Sequence, residues 1–163
     1  INNTNYVLFE FPLNSEPLNM YDIIYDMLEY KLVPILAHPE RYSFVQKNPN
    51  LIYDLIQKGV LMQSNYGSII GLYGDKAQII VKKLLENNMV HFLGSDVHKK
   101  NSIYPKVQIA LKEIENIVGK EKIEELTTIN PTYVLENKSI DIDEPREFKL
   151  SLKEKMKINF KNK

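Results

Sequence analysis

A parallel α/β sheet or barrel is predicted by two features of the sequence. Short, continuously apolar runs alternate with stretches of helical periodicity, and each apolar run ends in a polar residue capable of chemistry. Parallel strands are covered on both faces and so read as unbroken apolar segments, and the crossover joining two of them needs a helix.

Taken in order, residues 6–9 read as a strand ending at Glu10. Residues 18–30 read as a helix with Met20, Ile23, Ile24, Met27 and Leu28 on one face. Residues 32–37 form a second apolar strand that runs into His38-Pro39. A helix follows, with Asn48 as its cap, Pro49 at its first position and Gly59 as its stop. Residues 60–62 are the third strand, followed by Gln63 and Asn65. Asp75 caps a helix that turns Ile80, Val81, Leu84 and Leu85 inward. Residues 89–93 lead into Gly94-Ser95-Asp96-Val97-His98, and Pro105 opens a helix that Gly119 ends. Two shorter helical pieces are expected at 121–128 and 131–136.

The chain of 163 residues fits one domain, and its 21 basic and 21 acidic residues give no field that favours nucleic acid or anionic lipid. Ten tyrosines are scattered without a basic–aromatic stripe, so no nucleic-acid partner is expected. Cysteine is absent, which excludes thiol nucleophiles and thiolate metal sites. A metal site must then use His, Asp and Glu, a donor set for Mn²⁺, Mg²⁺, Fe²⁺ or Zn²⁺. No apolar run spans a bilayer and no signal-peptide pattern opens the sequence, which makes the cytoplasm the expected location.

In parallel α/β folds, active sites form at the carboxyl ends of strands. Glu10, His38, the pair Gln63 and Asn65, and the pair Asp96 and His98 each follow a strand and should share one rim. Two imidazoles and two carboxylates there suit a divalent metal. Each also has a plainer reading: Glu10 as a loop carboxylate, His38 as a structural histidine, Asp96 as a cap. Arg41, three residues after His38, either pairs with a carboxylate or supplies the planar fork that grips phosphate. His91 lies at the start of its strand, away from the rim, and reads as structural. No Gly-x-Ser-x-Gly elbow and no glycine-rich phosphate loop is present.

Ala37-His38-Pro39-Glu40-Arg41-Tyr42, Gln63-x-Asn65 with Gly67-Ser68, and His91-Phe92-x-Gly94-Ser95-Asp96-x-His98 occur in one order and spacing. Together they resemble the PHP (polymerase and histidinol phosphatase) superfamily, and within it the bacterial tyrosine-protein phosphatases of capsular and exopolysaccharide synthesis. The resemblance implies a distorted TIM-like (β/α)7 barrel with a three-metal centre, often manganese. It implies Glu10, His38, Asp96 and His98 as metal ligands and Arg41 as the phosphate-binding arginine. The implied reaction is hydrolysis of phosphotyrosine on the tail of a bacterial tyrosine kinase, by a hydroxide held on the metals and without a covalent intermediate. A small-molecule phosphoesterase of the histidinol phosphatase kind, or a non-catalytic binding remnant, are the alternatives. Lys99 and Lys100 stand where some members carry an arginine.

Four βα units close about half of a barrel of roughly 200–250 residues, and the His-x-His pair that opens such domains does not occur in this sequence. The sequence is therefore expected to be the C-terminal part of the barrel over 1–137, with little activity alone. Residues 138–163 form a basic tail. Its apolar residues from 148 to 160 fall on even positions, with Glu154 as the exception, so an edge strand or hairpin is expected there.

Overall fold

The computed structural model describes residues 1–98 and 104–159. Four strands, β1 (Tyr6–Phe9), β2 (Val33–Ala37), β3 (Leu61–Asn65) and β4 (Phe92–Gly94), form one wholly parallel sheet in the order β1-β2-β3-β4. The helices that connect these neighbours pack on one face of the sheet. Those connections are α1 (Met20–Glu29), then α2 (Ser43–Lys47) with α3 (Leu51–Gln57), then α4 (Tyr66–Ile69) with α5 (Asp75–Glu86). After β4 come α6 (Val107–Val118), α7 (Lys120–Glu124), a π-helical turn (Glu125–Ile129) and α8 (Asn130–Leu135).

Side-chain alternation along the strands divides the core in two. Leu36, Met62 and Leu93 point to the helical side and pack with Ile24, Leu55, Ile80, Leu84 and Ile114 in the main cluster. Tyr6, Ile35, Leu61 and Phe92 point the other way and meet Val134 of α8 in a smaller one. On that second side Leu8 stays half exposed. The α/β class and the parallel order are those expected; the (β/α)7 barrel is an expectation that reaches beyond these four strands.

The tail differs from the expected strand. Residues Leu152–Asn159 form a helix, α9, and among the described residues no strand follows β4; Phe160 lies outside them. The reason is a reciprocal cap. Ser151 Oγ accepts the Glu154 backbone N–H at 3.3 Å, while Glu154 Oε2 accepts the Ser151 backbone N–H at 2.7 Å. The one residue that broke the two-residue alternation is thus half of the cap that opens the helix. Glu154 also reaches Lys83 of α5 at 3.5 Å, and Ile158, one turn further on, is buried. Phe148 and Leu150 precede the helix and lie against the main core.

Three smaller differences bear on the site. The third strand runs on through Gln63, Ser64 and Asn65, so these polar residues belong to the sheet rather than to a loop. The helix expected from Asn48 begins at Leu51, and Asn50 Oδ1 accepts the Phe148 backbone N–H instead of capping it. Gly74 takes the cap position of α5, and Asp75 is the first helical residue.

His91 is structural, as expected. Its Nδ1 accepts the Met62 N–H at 2.9 Å, and its carbonyl accepts Asn130 Nδ2 at 2.9 Å, tying β3 to α8. Burial, with Lys122 adding to it, pushes the imidazole pKa down to about 3 from 6.5. The unfolded chain takes up this proton near pH 6.5, and the folded chain only near 3. The stability contributed by the neutral ring is therefore complete above about pH 6.5 and is lost as pH falls towards 3. Urea titrations at pH 6 and pH 4 are expected to show a loss approaching about 1.4 kcal/mol per pH unit that His91→Gln lacks. Equal slopes in the two proteins would remove His91 as the acid-sensitive group.

Candidate metal and anion site

The strand register sets the site. Phe9 lies opposite Leu36, Ala37 opposite Gln63 and Asn65 opposite Gly94, so Glu10, His38 and Asp96 all follow the same edge of the sheet. His38 leaves β2 in a left-handed conformation (φ 38°), an uncommon one for a residue with a Cβ, and its N–H donates to the Gln63 carbonyl at 2.6 Å. Pro39–Arg41 then form a single 3₁₀ turn closed by the Arg41 N–H on the His38 carbonyl at 3.0 Å. This reversal aims the two side chains differently. His38 Nε2 lies 3.1 Å from Glu10 Oε2, and Arg41 Nη1 donates to Asp96 Oδ2 at 2.5 Å.

Asp96 is also left-handed (φ 46°), and the His98 ring bends back so that Nε2 lies 2.8 Å from Asp96 Oδ1. The two side chains meet through this contact, and the backbone at Asp96 is not the extended one expected. Asn65 Nδ2 donates to Asp96 Oδ2 at 3.0 Å. Burial works against ionisation of Asp96, but the charges of His38 and Arg41 and the bond from His98 outweigh it, holding the carboxyl below its ordinary range.

Glu40 sits directly behind this rim and is fully buried. Its Oε1 accepts the Asn65 N–H at 3.0 Å and the Ser68 hydroxyl at 2.5 Å, and its carbonyl accepts Gln46 Nε2. It thereby staples the His38–Arg41 turn to the start of α4. Burial pushes its carboxyl upward against the pull of those two hydrogen bonds. Tyr42 does the same for the neighbouring strand ends: its hydroxyl donates to the Ala37 carbonyl at 2.9 Å and accepts the Phe11 N–H at 3.0 Å. Gly94 leaves room for the Gln63 side chain, since a Cβ there would stand 2.3 Å from Gln63 Nε2 and would displace the amide. The Gln63 amide, laid across that gap, holds Asn65 Oδ1 at 2.9 Å.

A cavity of about 310 Å³ opens between these groups, lined by Glu10, His38, Gln63 and Asp96 with Leu8, Phe9 and Ala37. Of the expected site residues, Glu10 and His38 meet as one pair and Asp96 and His98 as another, with Arg41 on Asp96. Glu10 and His98 are the exposed members and His38 the buried one. Among the described residues no three imidazole or carboxylate donors gather into one cluster. The donor chemistry fits a hard or borderline divalent cation, with His38 Nε2 turned towards Glu10 at the cavity while its Nδ1 is buried without a hydrogen-bond partner. Lys99 and Lys100 lie outside the described residues. The sequence places Gln63 on the rim but gives no sign of a role for Glu40, because nothing in one sequence shows that a carboxylate between Pro39 and Arg41 is buried.

Fold and rim together define a parallel α/β protein whose strand ends bring an imidazole and two carboxylates to one cavity, with an arginine and a second imidazole bonded to its Asp96. Residues 1–136 match the family described as capsular polysaccharide synthesis, CpsB/CapC, and the chain belongs to that family. It is 33% identical over 149 residues to tyrosine-protein phosphatase YwqE of Bacillus subtilis (strain 168), covering 91% of this chain and 58% of that protein. It is 29% identical over 140 residues to tyrosine-protein phosphatase CpsB of Streptococcus pneumoniae, covering 83% of this chain and 58% of that one. A crystal structure from work on YwqE and S. pneumoniae CpsB, described as metal-dependent tyrosine phosphatases, superposes with a TM-score of 0.84 at 33% identity. That match covers 92% of this chain and 60% of the solved one. The chain thus spans somewhat more than half the length of these relatives.

Proposed function

We propose that this chain carries the C-terminal part of a metal-dependent phosphotyrosine phosphatase site, within a (β/α)7 barrel of the PHP type. The observation that carries the reading is Arg41 set beside Asp96 at the rim of a cavity that also holds His38 and Glu10. A cationic fork next to imidazole and carboxylate donors suits a phosphate monoester held over cations.

Glu10, His38, Asp96 and His98 would hold divalent metals, with Mn²⁺ the first choice and Fe²⁺, Zn²⁺ or Mg²⁺ as alternatives. Bound there, such ions would supply Lewis-acid charge and acidify a water molecule. Arg41 would bind two phosphoryl oxygens and balance the charge that builds on them. Asn65 and Glu40 keep the acceptors and the turn in register. The substrate in this reading is a phosphotyrosyl protein, the tail of a bacterial tyrosine kinase governing capsule or exopolysaccharide synthesis, met in the cytoplasm. Among the described residues no helix is long and apolar enough to cross a membrane.

The test compares a phosphotyrosyl peptide with histidinol phosphate, using the full-length protein with Mn²⁺ and with a chelator. Faster, chelator-sensitive release of phosphate from the peptide is expected. Preference for histidinol phosphate would move the protein to the small-molecule branch, and no metal-dependent turnover of either would support a binding role.

A further inference from the structure

Arg41 has a second neighbour that the proposed chemistry does not use. Its guanidinium carbon lies 4.2 Å from the centroid of the Tyr73 ring, which places the plane of charge on the aromatic face. Tyr73 belongs to the turn between α4 and α5 and is half-buried. Its ring is seated by Gly67: a Cβ at that position would stand 2.8 Å from Tyr73 Cε2. Gly67 is helical and needs no unusual backbone angle, so its lack of a side chain serves the ring.

Arginine carries large rotamer entropy, and a fork that must meet two phosphoryl oxygens gains from being held before it binds. Three contacts hold it here: the backbone N–H on the His38 carbonyl, Nη1 on Asp96, and the face on Tyr73. Among the described residues its one side-chain hydrogen bond goes to Asp96, so the remaining guanidinium donors are free for an anion. We propose that Tyr73 is a positioning residue, seated by Gly67, that holds the Arg41 fork ready for the phosphate of the substrate. The inference rests on the reading of Arg41 as the phosphate contact.

The experiment titrates inorganic phosphate into the full-length, Mn²⁺-loaded protein by calorimetry, with metal content measured in parallel. The variants are Tyr73→Leu, Tyr73→Phe, Gly67→Ala and Arg41→Ala. Removing the ring is expected to weaken phosphate binding by about 3- to 30-fold, the range of a partly desolvated cation–π contact. Metal content stays at the parent value, and Tyr73→Phe, which keeps the ring, binds within about twofold of the parent. Gly67→Ala keeps a helix-favouring residue but displaces the ring, so it should weaken binding even if Tyr73→Leu folds poorly. Weakened binding in Arg41→Ala with parent-like binding in Tyr73→Leu and Gly67→Ala overturns the positioning role alone. Loss in Tyr73→Phe equal to that in Tyr73→Leu also overturns it, since the hydroxyl would then be responsible. Parent-like binding in Arg41→Ala overturns the underlying reading of Arg41 and the positioning role together.

Discussion

His38→Ala is expected to remove metal and activity in the same step. The ring is buried, its Nε2 faces Glu10 at the cavity, and no other imidazole lines that wall among the described residues. Loss of an outer-shell partner already costs a metal site about 10- to 100-fold in affinity, so loss of a direct donor is expected to cost at least about 100-fold. Phosphotyrosyl turnover should fall in proportion, because the same ions would position and charge the phosphoryl group. The alternative is a structural histidine, whose ring packs 5.6 Å from the buried Tyr42 ring. Among the described residues Glu10 alone, itself exposed, stands within hydrogen-bonding distance of the His38 side chain, while the left-handed turn is held by backbone hydrogen bonds that alanine keeps. A structural role would appear as a lower unfolding midpoint with full metal content in the protein that remains folded. Metal stoichiometry measured by mass spectrometry on the folded variant decides between them: a normal value removes His38 from the ligand set.

How much of this was readable beforehand follows from the range of the interactions involved. The strand Tyr6–Phe9 and the helix ended by Gly119 lie where the sequence places them, because a short apolar run and a long 3.6-residue stripe are local signals. The five-residue helix α2 carries too few residues to show a period. The polar end of β3 resembles a loop in composition, yet Gln63 pairs with both neighbouring strands and Ser64 and Asn65 pair with β4. The tail misled for a different reason. The expected strand rests on six apolar residues at even positions and takes no account of Ser151-x-x-Glu154, although that signature names a specific pair of hydrogen bonds and alternation names none.

For the site, the rule that chemistry sits at strand ends was sufficient to bring Glu10, His38 and Asp96 to one cavity. The groups that hold them there were not readable. Glu40 reaches Asn65 across 25 residues, Asn65 reaches Asp96 across 31, and Arg41 reaches Asp96 across 55. Such pairs are set by the register of the sheet and the path of each turn, neither of which leaves a local pattern. Burial of Glu40 is the clearest case, since an ionisable residue beside Arg41 reads as a surface ion pair until the fold encloses it.

Arg41→Ala is expected to lower kcat/KM for a phosphotyrosyl peptide by about 100- to 1,000-fold, the usual cost of removing one donor that meets developing charge. Arg41→Lys keeps the positive charge but loses the planar fork, and should recover part of that loss. Two roles compete for this arginine, because in the structure its Nη1 is already bonded to the Asp96 carboxylate. As counter-charge alone, its removal would leave Asp96 leaning on His38, Asn65 and His98, and the Asp96 carboxyl would rise towards its ordinary range. Asp96 would still be ionised at neutral pH, so that loss would register in stability and metal content more than in turnover. As a phosphate contact, its removal spares both and acts on kcat/KM. The unfolding midpoint, metal content and kinetics of the two variants therefore separate the roles. A kcat/KM within tenfold of the parent in Arg41→Ala, with metal content unchanged, would leave Arg41 as a partner for Asp96 and take it out of the phosphate site.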